Sequence, residues 1–405
     1  MMRWQAPFPK FGEGPCLERL PRVARALDVE LGAFGAAGAV LVGSNGKGST
    51  AAMNAAILTQ AGARVGLFTS PHLFALNERF AISGEPISDA ALARHWARVE
   101  AAVDAAGERE KLGAFEFLFL IAADWFASER CTHTIWEAGL GGRLDPVRLI
   151  EAKRVALTSL DLEHTDLLGD TLEAIAREKL DAAPAGARVF VADSCAPVRE
   201  PILAHAAARN LLVEFVAARA EAGALAGDHQ RANAALATAL ARDMADVDEA
   251  AIGAGLAATR WPGRLEALSE APLVVIDVGH TPAALAAALA GFHSMRGDRE
   301  SVLVCGVSAD KDAAAMIGAL APSFRRVVCT AAAHRGLAAG AVAALAAAAH
   351  PDAEIAIAEN VADARRIALA QAGPGGAVYV AGGLFLAAEF RALHLGRDPG
   401  ALAFF

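Results

Sequence analysis

Val42-Gly43-Ser44-Asn45-Gly46-Lys47-Gly48-Ser49-Thr50 puts three glycines and a lysine ahead of a closing pair of hydroxyls, a combination that suits one ligand well, a nucleoside triphosphate. Glycines let successive backbone N–H groups turn inward around phosphate oxygens, and a following helix points its positive end at them. Lys47 would then meet the β- and γ-phosphates, and Ser49 or Thr50 would ligate Mg²⁺. The flanks agree: Ala36 to Val42 reads as a buried strand and Ala51 to Ala61 as a helix with few charges. The strict phosphate-loop pattern wants a hydroxyl where Gly48 stands and a glycine where Leu41 stands. A plain glycine turn would satisfy the chain geometry, but it would not need the lysine or the Ser-Thr pair.

The chain around this loop has 405 residues, 55% apolar and 20% charged, which predicts a globular protein of two or three domains. A net charge of −9 and no Lys/Arg block longer than a pair argue against a nucleic-acid partner. The five cysteines, Cys16, Cys131, Cys195, Cys305 and Cys329, never form a CxxC pair, so neither a disulfide framework nor a zinc knuckle is indicated. With no apolar signal core in Met1 to Lys10 and no long apolar run, the expectation is a cytoplasmic protein without a membrane partner.

Downstream, short β-like runs alternate with longer helical ones: Arg64 to Phe68, Asp89 to Ala106, Ala114 to Phe126, Thr134 to Glu137, Val155 to Ser159, Thr171 to Ala183, Arg188 to Val191 and Val198 to Ala208. That alternation predicts βαβ units in a mostly parallel sheet, with ligands at the strand carboxyl ends. Gln230 to Met244 adds a helix, Trp261-Pro262-Gly263-Arg264 breaks the pattern, and Leu273 to Asp277 opens a second alternating series that continues to Ala377–Ala381. Two domains follow, residues 1–259 and a smaller 260–405.

Several chemically loaded stretches come just after predicted strands. Thr69-Ser70-Pro71-His72 offers either a capped turn or a hydroxyl for a metal. Glu137 ends an apolar strand ahead of Gly139-Leu140-Gly141-Gly142-Arg143-Leu144-Asp145; a carboxylate buried there is costly unless it meets a cation such as Mg²⁺, and the alternative is a glycine turn with a solvated salt bridge. Leu162-Glu163-His164-Thr165-Asp166 follows the next strand; Lys179 lies within a helix, where a lysine is normally solvated. Arg264 and Asp277-Val278-Gly279-His280-Thr281-Pro282 bracket the start of the second series, where Asp277 either meets a ribose hydroxyl or a metal-bound phosphate or holds an aspartate turn.

Taken in order, these motifs, together with Asn77-Glu78-Arg79, Phe115-Glu116-Phe117, Leu168-Gly169-Asp170-Thr171, His229-Gln230 with Asn233-Ala234-Ala235, and Asp310-Lys311-Asp312, resemble the Mur ligase superfamily and its folylpolyglutamate synthase and dihydrofolate synthase branch, from about Phe8 to Phe385. The resemblance implies a P-loop-type, mostly parallel ATP-binding domain followed by a smaller Rossmann-like α/β domain. It implies ATP-dependent amide ligation, in which a pteroate or folate carboxylate takes the γ-phosphoryl group and the acyl phosphate is attacked by the amine of L-glutamate. On this resemblance Gly43, Asn45, Gly46, Lys47, Gly48, Ser49 and Thr50 hold the phosphates, with Ser49 or Thr50 on the first Mg²⁺; Ser70, Glu137 and His164 form a second metal site. Lys179 matches a lysine carbamylated by CO₂, Arg264 and Asp277 match nucleotide contacts, and Lys47, Lys179, His164 and His280 are the candidate catalytic residues. A monovalent cation is also allowed for, and a monomer acting on small molecules is the expectation.

Departures fall on the acceptor side. Asp145-Pro146-Val147-Arg148 replaces the usual Asp-Ala-Thr-Asn, Leu180-Asp181-Ala182 follows the lysine, and His280-Thr281-Pro282 replaces His-Asn-Pro. The alternatives are therefore a Mur-like ligase coupling an amino acid to a different carboxylic acid, and a nucleotide-binding regulator with a degenerate site, the latter disfavoured because Lys47, Glu137, His164, Lys179 and Asp277 are all present.

Overall fold

Gly38–Val42 is buried at every position and pairs in parallel with a neighbour on each side, which makes it the centre of the first sheet. The computed structural model describes residues 8–402 apart from 10, 11 and 15. Its strands in chain order are β1 (Gly38–Val42), β2 (Val65–Phe68), β3 (Phe80–Ile82), β4 (Glu85–Pro86), β5 (His133–Glu137), β6 (Arg154–Leu157), β7 (Arg188–Ala192) and β8 (Leu212–Val216), arranged β4-β3-β2-β5-β1-β6-β7-β8. All pairs are parallel except β2 with β3 and β3 with β4. Strands covered on both faces read as unbroken apolar runs, which is why the centre of this sheet was legible.

After β5 the chain passes to the far side of β1, so the carboxyl ends of β5, β1 and β6 lie side by side where the strand order reverses, the usual place for a ligand in such a sheet. Trp136 anchors the layer beneath, its ring centroid 5.2 Å from Phe119 and 5.3 Å from Phe126. Gly66 in β2 is small for a reason: a Cβ there would stand 2.7 Å from the Phe126 ring, inside van der Waals contact.

The second sheet contains β9 (Glu266–Glu270), β10 (Leu273–Ile276), β11 (Ser301–Cys305), β12 (Arg326–Cys329), β13 (Glu354–Ile357) and β14 (Ala377–Ala381), ordered β13-β12-β11-β14-β10-β9 and parallel apart from β9. Its core stacks Phe292 on Tyr379, centroids 4.4 Å apart, with Phe324 alongside. The first compact unit runs to Ala224 and takes in Gln230–Arg260; the second comprises Leu225–His229 and the chain from Trp261 onward.

Among the boundaries that differ from the sequence reading, two shape the glycine loop. The strand expected from Ala36 begins at Gly38, because Leu31–Ala37 coils as a 3₁₀ turn. The helix expected from Ala51 begins at Lys47, because Gly46, at φ 86°, turns the chain straight from loop to helix and draws Ser49 and Thr50 into its first turn.

Candidate functional site

The Gly43–Gly46 turn is fastened to the segment leaving β6. Ser44 N–H donates to Ser159 O at 3.0 Å, Asn45 N–H donates to Ser159 Oγ at 2.8 Å, and Thr158 Oγ1 donates to Asn45 O at 2.6 Å. Both glycines are forced: a Cβ on Gly43 would meet Thr158 Oγ1 at 2.0 Å, and one on Gly46 would meet Asn233 Oδ1 at 2.5 Å. The helix Lys47–Gln60 has no side-chain cap. Its first N–H groups have no helical acceptor, and with the macrodipole they make an anion cradle. Lys47 Nζ lies across this turn, donating to Gly43 O at 2.8 Å. In the same first helical turn, Thr50 Oγ1 is buried without a hydrogen-bond partner, and Gln230 Nε2 donates to Ser49 Oγ at 3.4 Å.

Glu137 closes β5, buried, and its Oε2 accepts from Ser70 N–H at 2.9 Å, so the structure joins these two predicted residues. The Ser70 loop is shaped by Glu78, whose carboxylate accepts from the N–H groups of Leu73, Phe74 and Ala75. Arg79 Nε donates to His72 Nδ1 at 2.9 Å; burial pulls the Arg79 guanidinium down to about 10 against the opposing charges of Glu137 and Glu78.

Lys179 is only 2% exposed, and its Nζ donates to Glu163 Oε1 at 2.9 Å. Burial, then the charge of Lys47, lowers the Lys179 ammonium below its ordinary value, with Glu163 opposing. Burial would raise the Glu163 carboxyl, but the charges of Lys179 and Lys47 outweigh it and hold that group below the usual carboxylate range. Lys47, Glu163 and Lys179 thus share one electrostatic neighbourhood. His164, next in sequence, starts the short helix Thr165–Leu168 from left-handed backbone at φ 47° and is exposed.

Asp145 turns inward: Oδ2 accepts from Gly139 N–H at 2.8 Å and Leu140 N–H at 3.0 Å, and Oδ1 from Val147 N–H at 3.0 Å. Burial pushes this carboxyl up to about 6. It therefore closes the glycine turn, while Arg143 leaves it to pair with Glu178 at 2.8 Å.

In the second unit, buried Asp277 accepts from Leu265 N–H at 3.1 Å through Oδ2 and from Gly279 N–H at 2.7 Å through Oδ1. Burial raises its pKa, and the charge of Arg264 opposes this. Burial also lowers the His229 imidazole, whose Nδ1 is buried without a partner. His280 is half-buried and precedes Thr281, the cap of the helix Pro282–Arg296.

Sequence reasoning passed over Glu163, Thr158 and Ser159 as functional side chains. Only the position of Glu163 beside His164 could have flagged it, since hydroxyls after a strand are too common to single out. Among the described residues no three His, Cys, Asp or Glu side chains converge on a metal site. The side chains here whose chemistry suits a hard cation are oxygen donors: the buried, unpartnered Thr50 hydroxyl and Ser49 in the first helical turn, and, at the end of β5, the Glu137 carboxylate.

An uncapped phosphate cradle at a strand-order reversal, in a chain that builds a second α/β sheet, defines a two-domain α/β protein with an N-terminal nucleotide-binding domain. The family model described as Mur ligase, glutamate ligase domain, matches residues 263–384. A probable bifunctional folylpolyglutamate synthase/dihydropteroate synthase of Halobacterium salinarum is 36% identical over 383 residues, 87% of this chain and 46% of that protein. The Lacticaseibacillus casei folylpolyglutamate synthase is 32% identical over 320 residues, 71% of this chain and 74% of that protein. The crystal structure of the Yersinia pestis bifunctional folylpolyglutamate synthase/dihydrofolate synthase complexed with AMPPNP and Mn ion superposes with a TM-score of 0.81 at 29% identity, covering 96% of this chain and 95% of that one. The chain belongs to the folylpolyglutamate synthase family of the Mur ligase superfamily. It spans less than half of the Halobacterium relative. Among the described residues no helix is long and apolar enough to cross a membrane.

Proposed function

We propose that this chain is an ATP-dependent ligase that joins L-glutamate to the carboxylate of dihydropteroate or a folate. The observation that carries the reading is the fastening of the Gly43–Gly46 turn to Thr158 and Ser159, beside the shared neighbourhood of Lys47, Glu163 and Lys179. A carboxylate resists amines because its leaving group would be oxide or hydroxide. An acceptor oxygen attacks the γ-phosphorus, the bond to ADP breaks, and the amine then attacks the acyl carbon, releasing phosphate and a proton.

Lys47 and the helix N–H groups take up the charge on the transferring phosphoryl. A divalent ion, held through Ser49 or Thr50 and through Glu137 with Ser70 and His164, supplies further charge neutralisation when bound. Arg264, Asp277 and His280 are proposed as nucleotide contacts, with Asp277 also accepting from the N–H groups of Leu265 and Gly279. Lys179 is suited to carbamylation, since burial favours its neutral amine, which adds to the carbon of CO₂ and loses a proton. The resulting anion turns a basic position into an acidic one. The relative's AMPPNP and manganese support the nucleotide and metal parts of this reading.

ADP release by the purified full chain is expected only with ATP, Mg²⁺, a pteroate or folate acceptor and L-glutamate together. Turnover confined to a different carboxylic acid, or nucleotide binding without turnover, would overturn the reading.

A further inference from the structure

Asp161 lies in the segment that wraps the glycine turn. Its N–H donates to Ser44 Oγ at 3.0 Å, and Ser44 Oγ lies 3.4 Å from Asp161 O, so its backbone is locked to the residue after Gly43. One carboxylate oxygen, Oδ1, accepts from Leu162 N–H at 2.9 Å, while the other, Oδ2, is buried without any hydrogen-bond partner. Two residues on, Glu163 is satisfied by Lys179, whose Nζ donates to its Oε1 at 2.9 Å. A buried carboxylate oxygen left unpaired costs free energy that the fold has no structural reason to accept, since an asparagine at the same place would serve Leu162 equally well.

We propose that Asp161 is a further binding residue of this site, its Oδ2 reserved for a cation that arrives with the substrates. The inference rests on the nucleotide-site reading above. Two cations accompany this chemistry, the divalent ion travelling with the nucleotide phosphates and the protonated amine of the incoming amino acid, and a carboxylate would recognise either.

Asp161→Asn keeps the shape and the acceptor for Leu162 while removing the charge. Binding of Mn²⁺ with ADP, followed by electron paramagnetic resonance, and the KM for L-glutamate at saturating ATP separate the two cations. The expected result is a loss of about tenfold in one of the two, about 1.4 kcal/mol, with kcat within a fewfold of the parent and an unchanged melting temperature. Both values within twofold of the parent would overturn the proposal and leave Asp161 as a loop residue holding at most a water molecule. Losses in both with a lowered melting temperature would overturn it as well, by showing a distorted loop; Asp161→Glu, which restores the charge one methylene further out, is then expected not to recover either value. If the parent chain itself binds no Mn²⁺–ADP, it is the nucleotide-site reading that fails rather than this one.

Discussion

The turn after β1 and the turn after β10 look alike in sequence, each a buried apolar strand running through glycine into a helix, yet they treat the helix N-terminus in opposite ways. The helix Lys47–Gln60 starts from a left-handed glycine with no side-chain cap. The helix Pro282–Arg296 is capped by Thr281 Oγ1, which accepts from Ala284 N–H, begins with a proline that has no N–H to satisfy, and follows an aspartate that already accepts from Gly279. One terminus leaves its donors for an external anion, and the other satisfies them from its own chain. A carboxylate in the turns that follow the strands therefore does not have one meaning: Asp277 and Asp145 hold backbone turns, whereas Glu163 meets a lysine.

The largest effect is expected at the open end. Lys179→Ala should lower turnover on the order of a thousandfold, about 4 kcal/mol in the barrier, with partial recovery when small carboxylates are added to the assay; full activity in the variant would remove the carbamate from the account. Next, Lys47→Ala should weaken ADP binding about a hundredfold in calorimetric titration, about 2.7 kcal/mol, without changing the melting temperature. Unchanged affinity would erase the distinction between the two turns.

Asp145 sharpens the comparison from within the first unit. Its carboxyl is pushed up to about 6 from 3.8, so the folded state holds that proton more tightly than the unfolded chain. Stability from this group is present below about pH 4 and is lost as pH rises through 6, on the order of 3 kcal/mol in all and about 2 kcal/mol between pH 4.5 and 7.5. Denaturant titrations at pH 4.5 and 7.5 are expected to show that difference, and Asp145→Asn is expected to flatten it. A slope that survives the substitution would place its origin elsewhere. Smallest of all, Thr281→Ala should destabilise the second unit by about 1 kcal/mol through its lost cap, read from its unfolding curve, and leave ADP affinity alone.

How much of this was readable in the residues follows from where the signal lies. Long buried runs such as Leu273 to Ile276 and Ala114 to Phe126 announce their elements, because both faces are covered and the apolar pattern is unbroken. The edge strands β8 and β13 went unassigned: Leu212–Val216 is interrupted by Glu214 and Glu354–Ile357 opens on a glutamate, and both are short and partly exposed, so they lack a period to detect. The candidate site divides in the same way. Gly43 to Thr50 is a local pattern and could be read directly. Glu163 meeting Lys179, and Ser159 holding Asn45, are contacts between residues 16 and 114 positions apart, which no local pattern encodes. Asp145 was placed at the right turn but assigned no direction, since spacing does not tell whether a carboxylate faces a ligand or its own backbone.

The proposed chemistry can be tested most directly by following oxygen. With the acceptor's carboxylate labelled with ¹⁸O, transfer through an acyl phosphate moves one labelled oxygen into inorganic phosphate at each turnover, and mass spectrometry of the released phosphate is expected to show it. Phosphate released without label, at the rate at which glutamate is joined, would contradict activation of the acceptor by ATP and with it the function proposed for the Gly43–Thr50 cradle.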